Sequence, residues 1–173
     1  MRLACPIAAT LLLALTLVTA NAAVPEYQLK AAYLYNFFTF TTWPPNAAAR
    51  TTLCVLGHDP FGVMLDNLSS KIVHGAPLDI LRITTTEKAR DCRMLFIGEG
   101  LGVDLEVTLA VLEGWAVLTV AEDKDAARRG AVIGLVVDSG RIVFDINMAA
   151  AHRARLVLSS KLLRLARQVH STP

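Results

Sequence analysis

Apolar residues along the chain fall into short runs whose spacing changes from segment to segment. From Tyr27 to Phe40, large apolar residues recur at three- and four-residue steps, among them Tyr27, Leu34, Phe37 and Phe38. That spacing predicts a helix. It stops before Trp43-Pro44-Pro45, because proline disfavours helical backbone in the residue before it and lacks a donor for the ladder. Thr51–Leu56 is a brief run of strand formers closed by Gly57, which reads as a strand. Asp59-Pro60 then predicts a helix start, with Asp59 as N-cap and proline in the first turn. This helix runs to about Lys71 and buries Phe61, Met64, Leu65 and Leu68.

Leu78–Ile83 alternates like a strand, Met94–Ile97 is a continuous apolar run, Asp104–Leu112 is helical, and Ala116–Val120 is again a strand. Ala131–Val137 and Arg141–Ile146 flank Asp138-Ser139-Gly140, a turn sequence between two apolar runs. This predicts a β-hairpin with glycine where the turn needs positive φ. A long terminal helix is expected from about Met148 to Val169, with Leu158, Leu162, Leu165 and Val169 on one stripe. Strands that alternate with helices and are apolar nearly throughout call for a sheet covered on both faces. The expected fold is a single-domain, three-layer α/β sandwich whose mixed sheet ends in the hairpin and the long helix.

The first residues follow different rules. Arg2 precedes an apolar run from Ile7 to Val18, and Ala20-Asn21-Ala22 supplies small residues where a signal peptidase reads them. The run is short for a membrane span, which needs roughly 20 residues. Residues 1–22 are therefore expected to be a cleaved leader and 23–173 the mature domain in the periplasm; an uncleaved anchor is the alternative. The leader contains Arg2 and no acid, so its loss takes the 17 basic residues to 16 against 15 acidic ones, a mature charge of +1. Such balance excludes general nucleic-acid binding. Cys5 leaves with the leader, and the mature chain keeps Cys54 and Cys92. An even pair in an exported protein points to a disulfide, with two buried free thiols as the alternative.

Signals for catalysis are weak. Gly98-Glu99-Gly100-Leu101-Gly102 follows a strand and precedes a helix, as a phosphate cradle would, but Val103 stands where a dinucleotide fingerprint wants its third glycine. It reads as a plain turn. His58, His74, His152 and His170 form no metal-ligand spacing, and Ser159-Ser160-Lys161 lacks the SxxK spacing of a serine–lysine pair. No metal or cofactor is expected. After Asp145 the chain carries Arg153, Arg155, Lys161, Arg164 and Arg167 and no acid. The expected readings are a solvated basic face that complements a helix dipole, or a positive face for an acidic partner or for anionic lipid headgroups. Seven aromatics lie between Tyr27 and Trp43 (Tyr27, Tyr33, Tyr35, Phe37, Phe38, Phe40, Trp43). Most are expected in the core and some at an interface.

Several segments, taken in order, resemble the YfiR family (DUF4154). They are Lys30–Phe37 running on to Trp43-Pro44, Cys54–Gly57 with Asp59–Gly62, Cys92 before Leu95-Phe96-Ile97, Ile142–Asn147, and Leu156 through Ser159-Ser160-Lys161 to Ala166. The resemblance implies a periplasmic, non-catalytic homodimer. Such a protein binds the sensory part of an inner-membrane diguanylate cyclase (a YfiN-like protein), holds it inactive, and is itself sequestered by an outer-membrane lipoprotein (YfiB-like). It also implies that Cys54 and Cys92 form the family's disulfide. The best-known member has a second cysteine pair in its C-terminal third, where this chain has none, so redox sensing through that bond does not carry over. Asp145, Arg153 and Arg164 are the candidate partner contacts. The competing reading is a periplasmic small-ligand binding module that feeds a sensor or transporter.

Overall fold

The computed structural model describes residues 25–45, 47, 50–98 and 103–171. The expected leader, and positions 99–102 of the glycine-containing turn, lie outside them. In chain order the elements are α1 (Glu26–Thr39), β1 (Thr41–Thr42), β2 (Thr52–Leu56), α2 (Val63–Asp66), β3 (Ile72–Val73), β4 (Ala76–Pro77), β5 (Asp79–Ile83), a 3-10 helix (Thr86–Asp91) and β6 (Met94–Ile97). They continue with α3 (Leu105–Val111), β7 (Leu118–Ala121), β8 (Ile133–Asp138), β9 (Arg141–Asn147), α4 (Met148–Arg153), β10 (Val157–Leu158), α5 (Ser160–Leu165) and β11 (Gln168–His170).

Seven strands form one mixed sheet in the order β11-β9-β8-β7-β6-β2-β5. Strands β8, β7, β6, β2 and β5 run parallel, β9 returns antiparallel to β8, and β11 lies parallel to β9. Successive side chains of a strand point to opposite faces. Leu53 and Val55 of β2 therefore join a core under α1 and α2 with Leu34, Phe37, Phe38, Phe61 and Leu65. Cys54 and Leu56 join a second core with Leu95, Ile97, Leu105, Leu112 and Ala89 on the other face. Every residue of β2 is buried. This double cover is why the strand reads as an unbroken apolar run, and it makes the three-layer α/β sandwich.

The aromatic stretch goes entirely to the first core. Phe37 and Phe38 are buried there, and Tyr27, Tyr33, Tyr35, Phe40 and Trp43 pack against them part-buried. Edge-to-face contacts of Phe37 with Phe144, and of Phe61 with Tyr27 and Phe96, tie α1 and the loop after β2 to the sheet. The hairpin closes with Ser139 at φ 50° and Gly140 at φ 74°, between the paired residues Asp138 and Arg141. Both central residues are left-handed, as the type I′ turn that fits strand twist requires.

Two expected helices are corrected. Asp59 does not cap a helix that reaches Lys71. Its carboxylate accepts from the Phe61 N–H at 2.8 Å, and α2 covers only Val63–Asp66. A side chain satisfied two residues on closes a local turn in place of a helix start. The long terminal helix is absent as well. Arg155 takes the left-handed conformation at φ 57°, its N–H donates to His152 O at 2.9 Å, and the Leu156 N–H donates to Ala151 O at 2.9 Å. These two bonds are the Schellman termination of a helix. Val157-Leu158 then pairs with Thr41-Thr42, and Ser159 starts α5 by accepting from the Leu162 N–H at 3.3 Å. The predicted stripe splits: Leu158 and Leu162 are buried, whereas Leu165 and Val169 are exposed.

A β-carbon is strained in the left-handed region and glycine is not, by roughly 1 kcal/mol. Arg155→Gly is expected to raise the unfolding free energy by about 1 kcal/mol, read as an increased midpoint in thermal denaturation.

Candidate functional site

Cys54 on β2 and Cys92 at the end of the 3-10 helix form a disulfide, with Cα atoms 6.0 Å apart and a sequence separation of 38. Both are within 1% of complete burial. The bond anchors the segment that delivers β6 to the strand beside it. In the chain-entropy account a loop of this length stabilises by roughly 4 kcal/mol.

The acid-free end of the chain folds as α4, β10, α5 and β11. Asp145 on β9 is buried at 5% exposure and holds Arg167 in a two-pronged pair, at 3.0 Å from Nε and 2.6 Å from Nη2. Arg167 also reaches Asp138 at 3.1 Å. The forked geometry offsets the cost of burying the carboxylate and locks β11 along β9. Donating to the Asp145 carboxylate, set against some desolvation, raises the Arg167 pKa further. Asp145 thus faces Arg167 and not solvent. Arg153 at the end of α4 and Arg164 in α5 are exposed, as are Arg155 and Lys161. Val157 at 66% and Leu165 at 70% exposure belong to the same segment.

Three further ionic groups were not picked out from the sequence. Lys30 of α1 is buried at 2% exposure and bonds Glu26 and Glu122; Tyr27 Oη also donates to Glu122, at 3.2 Å. Burial pulls the Lys30 ammonium down, and the hydrogen bonds to Glu122 and Glu26 outweigh it, so its pKa is raised. The four-residue step from Glu26 to Lys30 was the available signal; Glu122 had none. Arg82 clamps Asp59 and Asp66, each at 2.7 Å. Arg129 bonds Glu106 at 2.7 and 2.8 Å and also pairs with Asp123, across the ends of β6 and β7.

Nothing in these groups resembles a reaction centre. Ser159 is a helix cap, His58 and His152 are exposed, and His74 lies 3.1 Å from the Phe38 carbonyl oxygen. Among the described residues no three of His, Cys, Asp and Glu are grouped to hold a metal ion. Nor is any helix among them long and apolar enough to cross a membrane.

The class is a one-domain, disulfide-linked α/β sandwich whose C-terminal segment is basic. Residues 27–167 match the YfiR/HmsC-like family (DUF4154), and the chain belongs to that family. The family is one of periplasmic regulators of cyclic di-GMP signalling, regulatory and not catalytic in character. No curated protein matches it. Two solved structures share the fold. A conserved domain protein from Vibrio cholerae O1 biovar El Tor has a TM-score of 0.58 at 14% identity, covering 83% of this chain and 60% of that one. An ABC domain from Streptococcus pneumoniae in complex with L-Trp has a TM-score of 0.54 at 10% identity, with the same coverages of 83% and 60%. The chain thus spans 60% of the length of each.

Two measurements check this description. Cys92→Ser is expected to lower the unfolding free energy by about 2–4 kcal/mol, seen in urea denaturation with and without reductant. The Arg129 hydrogen bond holds the Glu106 carboxyl at about 2, against an ordinary 4.5. A depressed carboxylate stabilises the fold fully above its ordinary value and loses that effect as pH falls from 4.5 through about 2. An NMR titration is expected to find the Glu106 midpoint near 2 and, in Arg129→Gln, to find it returned toward the usual carboxylate range.

Proposed function

We propose that the protein binds the periplasmic sensory part of an inner-membrane diguanylate cyclase and holds the enzyme inactive, lowering cyclic di-GMP. The binding works by differential affinity, which shifts the cyclase toward its inactive arrangement. One observation carries this reading within the family: the acid-free segment after Asp145 presents Arg153, Arg155, Lys161 and Arg164 to solvent beside exposed Val157 and Leu165. Cations around an apolar patch suit a partner surface that is acidic at its rim. In this reading Arg153 and Arg164 touch the partner, and Asp145 acts through Arg167 by fixing the strand that ends the face. A homodimer in the periplasm, released from the cyclase when an outer-membrane lipoprotein captures it, completes the proposal.

A small-ligand module is the second reading, favoured by the L-Trp complex of the Streptococcus pneumoniae neighbour. The two are separated by one pull-down with the cyclase's periplasmic portion as bait. The wild-type chain is expected to be retained, and Arg153→Glu with Arg164→Glu to lose about tenfold or more in affinity, a change of 1.4 kcal/mol or more. Retention unchanged by the double reversal removes this face as the contact. No retention at all, with strong thermal stabilisation by one amino acid or nucleotide, favours the small-ligand module.

A further inference from the structure

Trp115 stands 45% exposed just after α3, on the turn formed by Gly114 at φ 78° and held by the Trp115 N–H donating to Leu112 O at 3.0 Å. A tryptophan left open to water at a rigid turn is costly apolar exposure. Three arginines lie close to it. Arg90 lies over the ring, its guanidinium carbon 5.5 Å from the centroid, and its Nε donates to Val111 O at 3.4 Å. Arg155 Nη2 donates to Gly114 O at 3.0 Å. Arg90, Arg155 and Trp115 line one cleft of about 310 Å³; Arg153 and Trp115 line a second of about 210 Å³.

These three arginines differ from the structural ones. Arg82, Arg129 and Arg167 each grip two carboxylates. No carboxylate among the described residues forms a salt bridge with Arg90, Arg153 or Arg155, although Asp91 and Glu113 line the same clefts. Backbone carbonyls orient Arg90 and Arg155 while leaving charge and donors outward, and Arg155 occupies a left-handed position that favours glycine. The left-handed backbone ends α4, and it sets the Arg155 side chain against the Gly114 carbonyl beside Trp115.

We infer that Trp115 and its arginines form a docking surface for an acidic protein segment, whose carboxylates lie on both sides of the indole. Tryptophan and arginine are the residues that dominate protein–protein binding energy. The ring divides the surface into two shallow clefts, so a compact metabolite fills only one of them, whereas an extended chain crosses both. The inference rests on the reading of the chain as a partner-binding protein, and adds a contact at the α3 end that does not involve Arg164.

The test is a fluorescence titration of the purified protein with a hexaglutamate peptide. The chain has two tryptophans, so Trp43→Phe leaves Trp115 as the reporter. A saturable change in Trp115 emission is expected, weakening as salt rises. Arg155→Gly and Arg90→Gln are each expected to lower affinity about tenfold. Arg155→Gly does so while unfolding at a higher temperature, which separates lost binding from lost structure. No saturable change, an unaltered affinity in Arg155→Gly, or an equal response to hexalysine or to free glutamate overturns the inference. The titration contains no cyclase. Peptide binding with a failed cyclase pull-down keeps this surface and removes that client, and the opposite result does the reverse.

Discussion

A strand buried on both faces needs cover on both sides at once, and β2 sets that requirement for the whole molecule. Its five residues are all buried. Leu53 and Val55 need the aromatic face of α1; Cys54 and Leu56 need the layer built by the 3-10 helix and α3. The disulfide lies within this second layer, which has fewer large side chains than the first. A covalent link stabilises most where apolar burial alone is thin. The sandwich is thus held by aromatic packing on one face and partly by a bond on the other.

The remaining ionic groups follow the same logic at the sheet's margins. Lys30 and Glu122 fasten α1 to the end of β7, Arg129 joins α3 to the turn after β7, Arg82 holds the loop after β2, and Arg167 fixes the edge strand β11. Each spans elements far apart in sequence. Charges engaged in this way are occupied. The exposed cations that form no salt bridge with a carboxylate among the described residues include Arg153, Arg155, Lys161 and Arg164 of the C-terminal segment and Arg90 beside Trp115, along with Lys71, Lys88, Lys124 and Arg141 elsewhere. What sets the Trp115 group apart is the aromatic ring and the clefts the arginines share with it.

Sequence reasoning found the elements whose periodicity is undisturbed. Helix α1, strands β2, β6 and β7, helix α3 and the hairpin were legible within a residue or two, because local pattern and tertiary cover agree there. It failed where a single backbone conformation overrode a good pattern. Leu158, Leu162, Leu165 and Val169 keep helical spacing, yet Arg155 turns left-handed and Val157-Leu158 pairs with Thr41-Thr42. Nothing in residues 148–169 announces a partner strand more than a hundred positions earlier. Asp145 was named from the sequence as a partner contact; its pairing with Arg167 was not legible there, since it exists only once β11 lies along β9.

By itself the sequence determined the layering, since apolar runs without alternation must be covered twice, and it determined the sign of the C-terminal segment, since composition fixes charge. Tertiary structure alone decided which charges are free. Glu122, Asp138 and Asp145 are spent on distant partners, and Trp115 lies beside arginines drawn from two separate segments. Such pairings depend on distance in space, which residue order does not encode locally.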